Sequence, residues 1–502
     1  MGNPILVQGR LEKPLDVVLG CQVYIDMLLD FEFFELAIIK GNFINKVFDH
    51  YINLEKTLGK KLDEKKRIKL HCKAELAIKI GLLHKYDNSS LDVFCRNLGA
   101  MPAYQKFLGL RTLFGTKIPS RSTINELENS MPTELLSEFN VIFMKALFDK
   151  EHSKELGFKE NFNLNHLFYD STCFKANIHY PVDYIFFKDL VRTMMLGVGA
   201  IRDKGIKIKM NLEPSKFESK MNHLCMEMSS AYRVKDAKKK RKGIFREMRD
   251  LANNANNHAV SHFNAFNKTC EKDGCSGRDL QILSDIKAMI DFTPKVIDLA
   301  KRRILDEEII PNEDKFFSLY EHEINIIKRH KDGAKYEFGN SGYIVEQQDG
   351  FIVTADLLEK SSPGDAKLII KSLDNILNNY GLTTVESICG DRGCDSKDTS
   401  KAIAEINEKH GLDILNAIAS KNVHKLMEQL KDENIREALK RRSSTEARIA
   451  LLKIITNNPM RQKGIANRRT HFSWAILSHN IFKAARMLRQ QVEVEKNTRK
   501  SA

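Results

Sequence analysis

The chain has 502 residues, of which 42% are hydrophobic and 29% charged, and its formal net charge is +14. This composition is ordinary for a globular protein of about two to four domains, and the basic excess indicates a polyanionic partner. No apolar run is long enough to cross a membrane, and the first residues lack the pattern of a secretory signal. The nine cysteines are odd in number and scattered, which is typical of reduced thiols in a cytosolic protein.

Residues 1–160 are predicted to form a helical N-terminal domain. Apolar residues recur at helical spacing between Ile68 and Leu83, and Ser90 can cap a further helix that ends before Pro102. This domain is the predicted site for binding DNA ends.

The segment KFLGLRTLFGTKIPSRSTINELEN contains a break at Pro119 and a capping box formed by Thr123 and Glu126. A short helix, a turn and a second capped helix, with Lys117 and Arg121 nearby, are compatible with a helix-turn-helix DNA reader. An ordinary helical hairpin is the alternative.

Three carboxylates occur in unusual settings. A short apolar run, LFY, ends on Asp170 and predicts a buried strand that ends in an acid. Asp391 ends a second strand of this kind, and Glu446 is the one acid in a strongly basic stretch of predicted helix. Burying a carboxylate is costly unless it binds a metal or a partner, so these acids are candidate ligands.

Hard oxygen ligands of this type suit Mg²⁺. Two such ions about 4 Å apart can activate an attacking oxygen and stabilise a leaving one during phosphodiester cleavage. We therefore expect Asp170, Asp391 and Glu446 to meet in space and to hold divalent metal for DNA chemistry. Each acid could instead cap a helix or belong to a surface ion pair.

After the first strand, residues 201–334 are predicted to form a helical and basic insertion. Its segment Arg233–Arg249 carries nine Lys and Arg residues against two acids, which favours contact with phosphates or, alternatively, a solvated helix face. The candidate phosphate contacts are Lys238, Lys239, Lys240 and Arg241.

The same insertion contains four residues of the types that bind zinc, His258, His262, Cys270 and Cys275. Their spacing matches no standard zinc pattern. A structural zinc site and a helix face that carries histidines beside two free cysteines both remain open at this stage.

The pattern changes to strand at Tyr336, and Asp349-Gly350 between two β-rich runs predicts a hairpin. The elements that follow are a helix over 363–380, a strand ending at Asp391, a helix capped by Ser396, a strand over 412–417 and helices to near Gln491. Without the insertion the order is β-β-β-α-β-α-β-α, which is the order of the ribonuclease H-like fold. It predicts an α/β core with a five-stranded mixed sheet, whose first and fourth strands are parallel neighbours that place two of the acids together.

The predicted domains follow from this order. They are a helical N-terminal domain over 1–160, a first part of the catalytic core over 161–200, the basic insertion over 201–334, and a second part of the core over 335–491.

At these motifs the sequence resembles bacterial insertion-sequence transposases of the DDE type. The motifs that carry the resemblance are DST with ANIHYPVD (170–183), YEFG with GFIVTADLL, GDRGCDS (390–396), RRSSTEARIALLK around Glu446, and FSWAILSHNIFKAARML (472–488). Val182 stands where the family tends to have Thr, and Cys394 stands where an aromatic residue is common.

The resemblance implies that Asp170, Asp391 and Glu446 are a catalytic triad with Mg²⁺ (or Mn²⁺), in two ions, as cofactor. It implies terminal inverted repeats as substrate, cleavage by water, and strand transfer by a DNA 3′-hydroxyl. The expected partners are double-stranded DNA of the element ends and target, and a second copy of the chain, because two ends must be joined. The expected location is the bacterial cytoplasm, at the nucleoid, with no membrane contact.

Further residues are candidates for supporting roles. Asp183 is the main rival for a metal role and is interpreted as a turn or substrate-strand residue. Arg392, Arg442 and Arg448 are candidate phosphate contacts, because guanidinium binds phosphate through two hydrogen bonds; surface ion pairs are the alternative. Trp474 is predicted to be a core residue.

Three functions remain in competition at this stage. The first is an active DNA transposase. The second is a non-catalytic DNA-binding protein, a repressor or scaffold derived from a transposase. The third is a stand-alone metal nuclease that cleaves DNA without joining it.

Overall fold

The computed structural model describes residues 15, 20–233, 235–311, 314–328, 335–381 and 384–501. The chain divides into two compact units. The sheet unit comprises residues 1–176 and 327–502, and the helical unit comprises residues 177–326. The helical unit thus begins before the predicted boundary at 201, which falls inside a helix. The predicted boundary at 334 and residues 1–14, which open the predicted N-terminal domain, lie outside the described residues.

A six-stranded mixed sheet forms the centre of the sheet unit. Its strands are β3 (His166–Lys175), β4 (Asn325–Lys328), β5 (Tyr336–Gln347), β6 (Ile352–Leu357), β7 (Ser387–Cys389) and β8 (Leu415–Asn416). The order is β4-β5-β3-β7-β8, and β6 also pairs with β5. β3 is antiparallel to β5 and parallel to β7, and β7 is parallel to β8. The predicted α/β class, with parallel first and fourth strands, is confirmed, and the short β4 is an additional strand.

The strand that carries Asp170 is longer than the sequence predicts. β3 continues to Lys175 because β5 pairs with it from Leu167, opposite Gln347, as far as Lys175, opposite Gly339. β7 pairs only with the first part of β3, from His166 to Phe168. The prediction that the strand ends in Asp170 is therefore wrong. The acid lies in the middle of β3, two residues beyond the last pair with β7.

Helices precede, connect and follow these strands. Before the sheet lie α1 (Gln22–Lys40), α2 (Phe43–Thr57), α3 (Glu64–Asp87), α4 (Leu91–Ala100), α5 (Pro102–Phe107), α6 (Arg121–Asn129), α7 (Thr133–Phe148) and α8 (Lys150–Glu155). Within and after it lie α13 (Asp365–Tyr380), α14 (Lys397–His410), α15 (Val423–Gln429), α16 (Glu433–Ile455) and α17 (Ile465–Ser501). The predicted hairpin at Asp349-Gly350 and the caps at Ser90 and Ser396 are confirmed.

The N-terminal helices and α17 share one hydrophobic core. Trp474 is fully buried in it, as predicted, and its indole N–H donates to the carbonyl of Glu128 at 3.1 Å. Gly81 of α3 allows this approach, since a Cβ atom there would overlap the Trp474 ring. Residues of the predicted domain 1–160 are therefore grouped with the sheet in one compact unit rather than in a unit of their own.

The predicted helix-turn-helix segment has a different structure. A two-stranded hairpin, β1 (Arg111–Thr112) and β2 (Gly115–Thr116), lies between α5 and α6, where a reader of this type has a tight turn. Ser120 caps α6 by accepting the N–H of Thr123 at 3.2 Å, so the predicted capping box at Thr123 is wrong. The cap lies earlier because the helix already begins at Arg121.

Four long helices form the helical unit, α9 (Asp183–Asp203), α10 (Pro214–Ser230), α11 (Ala237–Asp273) and α12 (Gly277–Ile304). Apolar faces of all four contribute to its hydrophobic core. Its helical character is as predicted. None of the described helices in either unit combines the length and the apolar content that a bilayer-spanning segment requires.

The zinc site considered for this unit is contradicted by the geometry. Cys270 and Cys275 form a disulfide with each other, so they are not the free thiols that the composition favours. His258 contacts the Asn211 side chain at 3.0 Å, and His262 is buried with its Nδ1 on the carbonyl of His258. The spacing of these four residues in the sequence does not determine where their side chains point, because that depends on how the helix and the loop after it are packed.

Candidate active site

Asp170 lies on the face of the sheet that α16 covers. Side chains alternate along a strand, so Phe168 and Asp170 point to the same face of β3. Phe168 packs against Ile435 and Ala438 of α16, which identifies that face. The Asp170 carboxylate accepts the backbone N–H of Ser171 at 2.8 Å.

Asp391 directly follows β7 and begins a short 3₁₀ turn over Arg392–Cys394. Its Oδ1 accepts the N–H of Gly393 at 2.8 Å and the thiol of Cys394 at 3.5 Å. Because β7 is the parallel neighbour of β3, this turn places the second acid beside the first. The local hydrogen bonds hold one carboxylate oxygen and fix the side chain's direction.

Glu446 lies on α16, and its side chain is 60% exposed. Its Oε1 is 3.4 Å from the Arg442 guanidinium one turn earlier on the helix. An exposed pair of this kind contributes little to stability, so Glu446 keeps the freedom to bind another cation.

The three acids interact electrostatically. Burial is the main cause that raises the pKa of Asp170 to about 6; the negative charges of Asp391 and Glu446 act in the same direction, and the Ser171 N–H and Arg442 act against it. The structure therefore places Asp391 and Glu446 within electrostatic range of Asp170, although the three residues are far apart along the chain. Arg442, one of the predicted phosphate contacts, lies among them.

The donor set suits a hard divalent cation. Within the described parts of the chain, no lysine or arginine forms a salt bridge with Asp170 or Asp391. Three carboxylates with one guanidinium leave negative charge uncompensated, and a bound cation would relieve the cost that raises the pKa of Asp170. Oxygen ligands of this type fit Mg²⁺ or Mn²⁺ better than softer metals.

The tightest cluster of possible ligand atoms among the described residues is a different one. Asp365, Asp391 and Cys394 each offer an atom within 4.8 Å of the others. Cys394 is a poor ligand, because burial raises the pKa of its thiol and keeps it protonated. The ligands of a two-ion site need not lie within 4.8 Å of one another, since ions about 4 Å apart with oxygens about 2 Å away span roughly 8 Å.

Asp365 was not identified from the sequence. It is the first residue of α13, and its Oδ1 accepts hydrogen bonds from the Tyr169 hydroxyl at 3.1 Å and the Ser171 hydroxyl at 2.7 Å. It thus braces the strand residues on both sides of Asp170. A helix that opens with an acid carries no signal for such a role, because first-turn acids are common.

Glu346 was also missed, and it is fully buried on β5 opposite Phe168. Its carboxylate accepts hydrogen bonds from three residues of α16, which are Arg441 at 3.1 Å, Thr445 at 2.8 Å and Arg448 at 2.9 Å. A lone acid in the apolar run YIVEQ was a signal that a buried partner was needed. Its partners lie about 100 residues away, where the sequence gave no indication of them.

The remaining predicted phosphate contacts have varied surroundings. Arg392 and Lys117 are exposed, whereas Arg121 forms an ion pair with Asp92 at 2.5 Å. Arg448 is committed to Glu346, and its side chain is only 15% exposed, which corresponds to the ion-pair alternative rather than a phosphate contact.

In the helical unit, Asp183 pairs with Arg303 at 3.0 Å, and burial raises its pKa. This ion pair gives Asp183 a structural partner within its own unit. Lys238 pairs with Glu307 at 2.8 Å, Lys239 and Lys240 are exposed, and the charge of Arg241 acts on Asp183. The basic run is therefore partly neutralised.

Comparisons with known proteins add no identification. No protein-family model, no curated protein and no solved structure matches the chain.

Proposed function

We propose that the protein is a DNA transposase of the DDE type, in which Asp170, Asp391 and Glu446 are the catalytic acids of a ribonuclease H-like core. The observation that carries the proposal is that the charges of Asp391 and Glu446, which are remote in the sequence, both act on Asp170, whose pKa burial raises to about 6. Support for the core comes from the strand order and from the parallel pairing of β3 with β7. The net charge of +14 supports a polyanionic substrate.

The proposed chemistry is metal-dependent. Asp170, Asp391 and Glu446 would hold two Mg²⁺ or Mn²⁺ ions, which when bound activate the attacking oxygen and stabilise the leaving oxygen. The same arrangement serves a water molecule during cleavage and a DNA 3′-hydroxyl during strand transfer.

The chain's own residues position the acids and the substrate. The Ser171 N–H holds one oxygen of Asp170, and the Gly393 N–H holds one oxygen of Asp391, so each acid is fixed before a metal arrives. Arg442 lies among the three acids, where its guanidinium can bind the phosphate that enters the site. Its contact with Glu446 is exposed and can be exchanged for such a ligand.

The test uses the DNA that flanks the reading frame in its source. Labelled duplexes from both flanks, with unrelated duplexes of equal length as a control, are incubated with protein and Mg²⁺. A transposase binds the flanking ends, cleaves them and joins them to target DNA. Binding without cleavage would support the non-catalytic DNA-binding protein, and cleavage without joining would support the nuclease.

A matched pair of variants on α16 assigns the chemistry. Glu446→Gln is expected to abolish cleavage and to retain end binding, because it removes a metal ligand and leaves the basic surface intact. Glu437→Gln removes an exposed acid from the same helix and should cleave like the wild type. Normal cleavage by Glu446→Gln would remove this residue from the proposed site.

A further inference from the structure

We propose that Glu346 is a positioning residue, whose buried carboxylate fixes the rotation of α16 so that Glu446 faces Asp170 and Asp391. This inference rests on the proposed function, because it concerns how one of the three acids reaches the metal site. Glu346 itself is enclosed by α16 and has no exposed surface, so it does not contact substrate.

The contacts of Glu346 come from one stripe of α16. Arg441, Thr445 and Arg448 are spaced i, i+4 and i+7, which places them on one face of a helix. Oε1 accepts from Arg441 and Thr445, and Oε2 accepts from Arg448. One buried carboxylate thus holds two full turns of the helix, and each charged hydrogen bond is directional.

The turn between β5 and β6 also contacts the two arginines of this stripe. The Arg441 Nε donates to the carbonyl of Gln348 at 2.9 Å, and its guanidinium lies 4.9 Å from the centre of the Phe168 ring. Gly350 has φ of +83°, and a Cβ atom there would overlap the Arg448 guanidinium. The hairpin therefore contacts both arginines and restricts where their guanidinium groups can lie.

The orientation of the stripe that contacts Glu346 determines the direction of the neighbouring stripe of α16, which carries Arg442 and Glu446. Successive residues of an α-helix are about 100° apart, so Arg442 and Glu446 follow directly from the orientation of Arg441 and Thr445. If α16 rotated by one residue, Glu446 would leave the site. Its own contacts cannot prevent this, because it is 60% exposed and its salt bridge is to a residue of the same helix.

The test maps the position of a bound metal directly. Fe²⁺ replaces Mg²⁺ in the full-length protein, and ascorbate with hydrogen peroxide then generates radicals that cut the backbone close to the ion. The fragments are identified by mass spectrometry. In the wild type we expect cuts near Asp170, near Asp391 and in α16 near Glu446.

Glu346→Gln should reduce the cut in α16 by about tenfold relative to the two other cuts, which is the usual scale for losing a residue that orients a metal ligand. Asp356→Asn is the matched control, because this acid of β6 pairs with Lys371 and Arg469, neither of which belongs to α16. The control should give the wild-type pattern. The metal concentration for half-maximal DNA cleavage should rise for Glu346→Gln and not for the control.

A charge-balanced variant guards against loss of folding. Glu346→Gln combined with Arg448→Gln removes one charge of each sign, so the cluster keeps the same excess of one cation over carboxylates. Near-ultraviolet circular dichroism reports its tertiary packing, and its α16 cut should also be weak. A wild-type pattern in either folded variant would overturn the positioning role. If the wild type showed none of the three cuts, the proposed metal site itself would fail, and this inference with it.

Discussion

Two clusters of charge lie on adjacent stripes of α16, and they are organised in opposite ways. Toward β5, the Glu346 carboxylate is fully buried and bound by two arginines and a threonine. Beside it, Arg442 pairs with Glu446 and acts on Asp170, and the charges of Asp391 and Glu446 contribute to the raised pKa of Asp170. The Glu346 carboxylate thus has all its partners within the protein, whereas the cluster of the three predicted acids retains negative charge that a bound cation would neutralise.

The largest expected difference between the clusters is in catalysis. Asp170→Asn should lower metal-dependent DNA cleavage by about a thousandfold or more, since a lost metal ligand removes several kcal/mol of transition-state stabilisation. The free energy of unfolding should stay the same or rise slightly, because a repelled carboxylate is replaced by an amide. Single-turnover cleavage and urea denaturation measure the two quantities.

Asp398→Asn, which changes an exposed acid in the first turn of α14, is the control for this variant. Cleavage within a few-fold of the wild type by Asp170→Asn would contradict the assignment of Asp170 as a ligand.

In the Glu346 cluster, a substitution should change the stability of the fold. Glu346→Gln is expected to lower the free energy of unfolding by about 3 kcal/mol or more, because it leaves buried guanidinium groups without their counter-charge. Asp356→Asn, at a partly exposed ion pair, should cost about 1 kcal/mol or less. Urea denaturation of both variants tests the difference.

Replacing Glu346, Arg441 and Arg448 together by methionine should recover much of the lost stability, since an apolar set of similar volume avoids the cost of desolvating charges. An equal loss in Glu346→Gln and Asp356→Asn would show that the Glu346 cluster is not the stronger structural contact.

A smaller effect per pH unit is expected from two buried histidines of α17. His479 donates to the carbonyl of Gly350, and His471 accepts from Lys85; burial lowers the pKa of each from 6.5 to about 3. Below pH 6.5 the unfolded chain binds protons at both positions and the folded chain does not. The free energy of unfolding should therefore fall as the pH drops from 6.5 toward 3, by up to about 1.4 kcal/mol per pH unit for each histidine.

His479→Asn should reduce this slope by up to half between pH 6 and 5, where few carboxylates titrate. Urea denaturation at several pH values measures it. An unchanged slope would mean that His479 becomes protonated in the folded protein.

Local patterns predicted much of the fold. Alternation and the Asp349-Gly350 turn predicted the β5–β6 hairpin, and the order of elements predicted the parallel pairing of β3 with β7. The hairpin of β1 and β2 was missed because strands of two residues have no detectable period. The extent of β3 was missed because its second half is determined by pairing with β5, far along the chain.

The candidate site was predictable in part for the same reason. Asp391 follows a strand and Glu446 lies in a basic helix, as predicted, and Asp170 was singled out by the apolar run before it, although its strand continues past it. Glu346 and Asp365 act through partners that are remote in sequence, and no spacing rule connects them. Arg448 shows what the sequence could not predict. Its basic surroundings favour a phosphate contact, but in the structure its side chain donates to the buried Glu346 carboxylate.

The central claim is that three acids form one site for divalent metal. Binding of Mn²⁺, followed by the electron paramagnetic resonance signal of the free ion, tests it most directly in the wild type and in Asp170→Asn, Asp391→Asn and Glu446→Gln. The account predicts saturable binding to the wild type and to Glu437→Gln, with affinity reduced by about tenfold or more in each of the three variants. Equal binding by the wild type and all three variants, or no saturable binding by the wild type, would contradict it.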